Sequence, residues 1–203
     1  MATQITTFTF FRYSSLKNKI WAFGMMQFAH RPLHNVEGLL FYKLLGSGKA
    51  EFNPRPDWSV YALLQVWENE AQADKFFEVS ALMDKYRQRS SEQWTIYLKN
   101  KIARGKWAGQ QPFTPHDKLS DAIPYVAVIT RATIKTKFIR TFWRNVPASQ
   151  KPLHDNAGLL FTKGIGEVPI SQMATFSLKV STVPINRILA RNGSSCIVII
   201  EQL

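Results

Sequence analysis

The sequence predicts an α+β fold: two tandem ferredoxin-like halves, each with helices over one face of an antiparallel sheet, joined as a dimeric α+β barrel within one chain. Three observations lead there. Residues 32–46 (PLHNVEGLLFYKLLG) recur 120 positions later, without a gap, as residues 152–166 (PLHDNAGLLFTKGIG), and nine of the fifteen pairs are identical. A repeat this long marks a duplicated domain rather than a solenoid, because each copy is long enough to bury an apolar face of its own. Strand-like and helix-like patterns also follow one another in the same order around both copies.

Alternation over 5–12 predicts the first strand. Asn18 is placed to cap a helix through about residue 29, with Ile20, Trp21, Phe23 and Phe28 as its apolar side. A second strand over 38–45 is closed by Gly46-Ser47-Gly48, and a third follows Pro54 and Pro56 over 58–67, with Val60, Ala62 and Leu64 on one buried face. Asn69 caps a helical stretch to about 79, which continues after a break to 89, and a strand over 94–99 completes the half. The order βαββαβ is that of a ferredoxin-like unit.

Residues 101–124 carry Gly, Pro, Gln and Asp without a clear period and read as a linker between a first half (1–100) and a second (125–203). The second half repeats a strand (125–133), a helix (about 135–146) and two strands (158–165, 172–180). There the parallel weakens. Only 183–193 stands where the first half has its long helix, and the apolar run Cys196-Ile197-Val198-Ile199-Ile200 is expected to dock as an edge strand at best. Two sheets with one bare face each are expected to pack against each other and leave a cavity between them.

Composition narrows the function. With 45% hydrophobic and 13% aromatic residues the chain can bury a substantial core, which excludes dominant disorder. The lone Cys196 excludes an internal disulfide framework and a multi-cysteine metal site; nothing points to an oxidising compartment, and a reducing cytoplasm is the default expectation. Residues 1–9 lack a basic then apolar leader pattern, and no run reaches the roughly 18–20 apolar residues of a membrane span, so a soluble protein, at most peripheral to a membrane, is expected. The formal charge of +12 is spread along the chain without any nucleic-acid-binding signature, so no nucleic-acid partner is expected. An anionic membrane or an acidic protein partner accounts for the charge as well.

Several residues invite chemistry. Gly46-Ser47-Gly48 and Gly164-Ile165-Gly166 lack the third glycine of a dinucleotide fingerprint, since Glu51 and Pro169 stand there. They read as tight turns ending strands, or as close backbone approach to a ligand. His34 and His154 occupy the same place in both copies, where an imidazole can ligate iron or shuttle protons; the alternative is a helix-to-strand turn with polar caps. Lys43 and Lys163 also pair across the repeat and either face solvent, the favoured reading, or reach an acidic group in the cavity. The six tryptophans, Trp107 among them, are core material first, and a surplus can line an apolar ligand cavity.

Seven short pieces in order carry a family resemblance. They are residues 16–23 with Trp21-Ala22-Phe23; Lys43-Leu44-Leu45-Gly46-Ser47-Gly48; residues 61–67 (YALLQVW); Ala103-Arg104-Gly105-Lys106-Trp107 with Pro112-Phe113; Thr130-Arg131-Ala132-Thr133; Phe142-Trp143 with Val146-Pro147; and residues 164–169 (GIGEVP) with Gln172 and Thr175-Phe176-Ser177. Together, over about residues 8–179, they closely resemble spheroidene monooxygenase. The resemblance implies an oxygenase of carotenoid biosynthesis acting on an acyclic carotenoid, with haem iron as cofactor, dioxygen as oxidant and a ferredoxin-type electron donor.

Such chemistry needs an apolar pocket, an axial ligand and cations for the haem propionates. Arg104 and Arg131, inside matched motifs, suit the propionates, with structural ion pairing as the alternative. His34 and His154 are the candidate iron ligands, and Lys43, Trp107 and Lys163 the candidate lining of the substrate cavity. Residues 180–203 depart from the family pattern and are shorter. The alternative function is a non-catalytic module that binds haem or another apolar ligand between the halves.

Overall fold

The computed structural model describes residues 3–49, 53–116, 125–141, 144–145, 158–168, 172–180 and 196–202. Its first half runs β1 (Ile5–Arg12), α1 (Leu16–Phe28), α2 (His30–His34), β2 (Leu39–Lys49), β3 (Asn53–Trp67), α3 (Glu70–Val79), α4 (Ala81–Arg89) and β4 (Glu92–Ala103). The second supplies β5 (Tyr125–Thr133), a 3-10 turn (Thr136–Phe138), β6 (Leu159–Val168), β7 (Gln172–Val180) and β8 (Cys196–Gln202). Of the helix expected over 135–146, the described residues show that turn followed by helical residues at 139–141 and 144–145. The stretch 183–193 lies outside the described residues.

Helix starts follow local hydrogen-bond chemistry. Ser15, not Asn18, caps α1: its backbone is extended and its hydroxyl accepts from the Asn18 amide at 3.2 Å. Asn18 sits inside the helix and donates its side-chain amide to the Arg89 carbonyl at 2.8 Å. Asn69 caps α3 by accepting from the Gln72 amide, as its position before the helical pattern predicts, and Ser80 makes the break and caps α4. Between α2 and β2 the chain turns at Gly38 (φ +72°), where a Cβ would come within 2.6 Å of the Gln72 side chain.

The strands are antiparallel and close into a barrel in the order β1-β3-β2-β6-β7-β5-β8-β4. Each half contributes four neighbours in the same order, β4-β1-β3-β2 and β8-β5-β7-β6. The sheets therefore do more than face each other, because their outer strands pair and form one continuous wall. At one seam β2 meets β6 through Gly46↔Gly166 and Ser47↔Ile165; at the other β4 meets β8 from Leu98↔Gln202 to Ala103↔Val198. β8 also pairs with β5, so it is an interior strand rather than an edge. Without it, β4 and β5 would both expose unpaired backbone groups. Register breaks recur 120 residues apart, between Leu39 and Phe41 against β3 and between Leu159 and Phe161 against β7.

Two cores result. Between the helices and the outer wall lie Ile5, Phe11, Leu63, Trp67, Phe76 and Met83, with the Trp67 indole N–H donating to Thr7 Oγ1 at 2.9 Å. The interior core is shared by both halves: Phe8, Phe10, Leu45 and Leu64 meet Ile129, Ile165, Phe176 and Leu178. Opposite walls touch, with the Phe8 and Phe176 rings 4.7 Å apart and those of Phe10 and Phe161 5.3 Å apart. Thus aromatic rings occupy the space between the sheets where a cavity is expected. Nor is the linker a passive connection. Its Trp107 and Phe113 are 1% and 5% exposed and belong to this interior core.

Candidate functional site at the barrel seam

The alternation of β2 and β6 decides where the paired lysines go. Phe41 and Leu45 face the barrel interior, so Lys43 between them faces it too; Phe161, Lys163 and Ile165 repeat the pattern. Both lysine side chains are largely buried, at 19% and 15% exposure, and not solvated as the sequence favours. Burial is tolerated because each finds a carboxylate from the other half. Lys43 Nζ lies 2.6 Å from Glu167 Oε2, and Lys163 Nζ donates to Asp57 Oδ2 at 2.8 Å.

Glu167 gathers two more of the predicted residues. The Trp107 indole N–H donates to its Oε1 at 2.5 Å, and Arg131 Nε stands 3.6 Å from the same oxygen. The Arg131 guanidinium also lies over the Trp107 ring, 5.5 Å from its centroid. Lys43, Trp107 and Arg131 therefore converge on one carboxylate. Asp57 accepts further hydrogen bonds from the Ser59 amide and hydroxyl. Burial alone would raise the Asp57 carboxyl, but the hydrogen bonds from Lys163 and Ser59 and the lysine charge hold it below the usual carboxylate value. Burial first, and then the Asp57 charge, raise the Tyr61 phenol beside it.

A cleft lies over this seam beneath α1. One part, about 400 Å³, is walled by Phe23, Met26, Trp58, Tyr61 and Met173 over the backbone of Gly46 and Gly166. The glycines thus sit within paired strands at a pocket, not in turns. An adjoining part of about 570 Å³ shares Phe23, Met26 and Glu167 and adds His30, Tyr42 and Lys43. His30 Nδ1 stands 3.0 Å from Tyr42 Oη.

Other predicted residues lie apart. His34 is exposed at the end of α2, Arg104 is exposed after β4, and neither lines the cleft. His154 lies outside the described residues. Glu167, Asp57 and His30 are not among the site residues that the sequence singles out. For Glu167 a signal existed: it follows Lys163 and Ile165 at a period of two, on the same face of β6.

A closed antiparallel barrel of eight described strands, with helices outside, defines an α+β-barrel protein. Its fold is shared with an aldoxime dehydratase solved in complex with butyraldoxime, at a TM-score of 0.56 and 7% identity over 98% of this chain and 79% of that one. A second aldoxime dehydratase structure aligns at a TM-score of 0.50, again with 7% identity. No family model matches the chain.

Relatives in sequence are more specific. The chain is 32% identical over 177 residues to spheroidene monooxygenase of Rhodobacter capsulatus, covering 86% of this chain and 73% of the relative. It is 34% identical over 176 residues to that of Cereibacter sphaeroides and 33% identical over 161 residues to that of Rubrivivax gelatinosus. The chain belongs to the spheroidene monooxygenase family. It spans 54% of the Cereibacter relative and 62% of the Rubrivivax one.

Proposed function

We propose that the chain is a monooxygenase of carotenoid biosynthesis whose substrate is an acyclic carotenoid. The observation that carries this reading is the 32% identity to the Rhodobacter relative over most of both chains. In the reaction one atom of dioxygen enters a C–H bond of the polyene. Two electrons and two protons, the electrons from a ferredoxin-type donor, reduce the other atom to water. The net positive charge suits an acidic donor, because opposite charges steer encounter. The protein works in the cytoplasm, at the surface of a membrane. We read the two halves as an internal duplication, 1–100 and 125–203 joined by 101–124, on the recurrence of residues 32–46 and the matching strand orders.

The cofactor in this proposal is haem, which activates dioxygen. The seam cleft fits it in chemistry: Phe23, Met26 and Trp58 give apolar walls, and His30 gives an imidazole. Tyr42 beside His30 Nδ1 is an outer partner of the type that orients a ligating imidazole. Lys43 lines the same cleft with its ammonium 2.6 Å from Glu167, so a propionate would share that cation with the carboxylate. Arg131, committed to Glu167, holds that carboxylate and the Trp107 indole in place. The polyene lies along the apolar part of the cleft, where Gly46 and Gly166 let it approach the backbone.

Visible absorption during haem titration tests the cofactor. The wild-type chain should develop a Soret band, and His30→Ala should shift or abolish it while His34→Ala, at an exposed position off the cleft, leaves it unchanged; His154→Ala tests the other candidate from the repeat. A lost band in either of the latter variants would move the ligand there; no band in the wild type would remove haem. Haem binding without oxidation of an acyclic carotenoid, given dioxygen and reduced ferredoxin, would favour the non-catalytic binding module.

A further inference from the structure

We propose that the outer face of α1, together with Trp58, is a docking surface for an anionic lipid bilayer, and that the apolar part of the seam cleft opens onto it. A helix covering a barrel needs one apolar side, and α1 has it: Ala22 is buried, while Trp21, Met25 and Met26 pack against the outer core. The opposite side is apolar as well. Leu16, Ile20 and Phe23 there are 73%, 62% and 56% exposed, and Phe28, on the flank beside Trp21, is 71% exposed. Leu16, Ile20 and Phe23 recur at the i, i+4, i+7 spacing of a single stripe. Trp58, 50% exposed, extends it, its ring centroid 5.0 Å from that of Phe23.

Charge says what covers this face. At about 100° per residue, Lys17 and Lys19 fall on opposite flanks of the stripe. Residues 1–36 contain no Asp or Glu, yet carry Lys17, Lys19 and Arg31, besides Arg12, which pairs with Glu92 of β4 at 3.2 Å. The carboxylates nearest the cleft, Asp57 and Glu167, are neutralised by Lys163 and by Lys43 with Arg131. An apolar stripe with Trp and Phe, bordered by lysines and free of acids, is the pattern of a helix lying in a membrane interface. Anionic headgroups attract such lysines, whereas a second copy of the same face would bring like charges together.

Phe23 and Trp58 belong both to the stripe and to the wall of the cleft. A polyene dissolved in the bilayer then reaches the cleft without crossing water. This last step rests on the proposed substrate; the docking itself does not.

The test uses the full chain and vesicles of phosphatidylcholine, with or without phosphatidylglycerol, in co-sedimentation without carotenoid or haem. Binding should require phosphatidylglycerol and weaken as salt is raised. Leu16→Ser with Ile20→Ser, and separately Lys17→Glu with Lys19→Glu, should each lower the vesicle affinity by about tenfold or more. Thermal melting followed by circular dichroism confirms that these surface variants are folded. The proposal is overturned by absence of binding to phosphatidylglycerol vesicles, by binding that neither double variant changes, or by a wild-type dimer that the Leu16/Ile20 variant dissolves. Vesicle binding by a chain that, in the separate assay with haem, dioxygen and reduced ferredoxin, fails to oxidise an acyclic carotenoid would overturn the proposed reaction and leave the docking surface standing.

Discussion

Gly46 and Gly166, 120 residues apart in the chain, are paired opposite each other across the β2–β6 seam. They occupy equivalent places in the repeat, yet their surroundings differ. A Cβ on Gly166 would come within 2.6 Å of the Gln172 carbonyl oxygen, a backbone atom that cannot swing aside. On Gly46 a Cβ would meet only the Gly166 oxygen, at 3.9 Å.

Gly166→Ala should therefore lower stability by about 1–3 kcal/mol, as overpacking does. Gly46→Ala should stay within about 0.5 kcal/mol of wild type. Urea unfolding of the two variants checks the contrast. Equal losses would mean that the seam, not the Gln172 carbonyl, forbids a side chain.

Glu167 holds three groups at once, so its removal strands Lys43 and Arg131 at partly buried positions and leaves the Trp107 N–H without an acceptor. Glu167→Ala should cost about 2–3 kcal/mol. In that background Lys43→Met should recover part of the loss, because it removes a stranded charge. A double-mutant cycle that sums to simple additivity would show that the pair does not interact.

Asp57 gives a pH signature. Its folded-state carboxyl lies below the ordinary value of about 3.9, so the ionised form is favoured in the fold. The folded state thus binds fewer protons than the unfolded one, and the stabilisation is fully present above about pH 5. It is lost as pH falls through the depressed folded value. The stability difference between wild type and Asp57→Asn should be flat from neutral pH to about pH 5 and shrink below it. Denaturant melts across that range would contradict the assignment if the gap widened in acid.

Much of the fold was legible because it is local. β1, β5 and β7 have the bounds that alternation predicts, and the caps at Asn69 and the break before α4 follow from side chains a few residues away. What escaped was long-range. An apolar face in a sequence says that it will be covered but not by what, so the pairing of β8 with both β4 and β5, and the aromatic filling between the sheets, were invisible. The lysines are the instructive case. Period two puts Lys43 on the face of Phe41 and Leu45, which is interior, but a general rule about lysine exposure outweighed that pattern. Their carboxylate partners lie more than a hundred residues away and no local spacing points to them.

The exchange of charges between the halves bears on the order in which the protein is made. Synthesis proceeds from the N-terminus, so β1 to β4 leave the ribosome with Lys43 still lacking Glu167, and Phe8 and Phe10 still lacking Phe161 and Phe176. The edges of β2 and β4 stay open until β6 and β8 arrive. The nascent first half is a sticky half-shell in which Lys43 and Asp57 both still lack the partners they have in the finished barrel. Only β8, the last described strand to emerge, can close it, so the chain cannot finish folding while that strand is still inside the ribosomal tunnel.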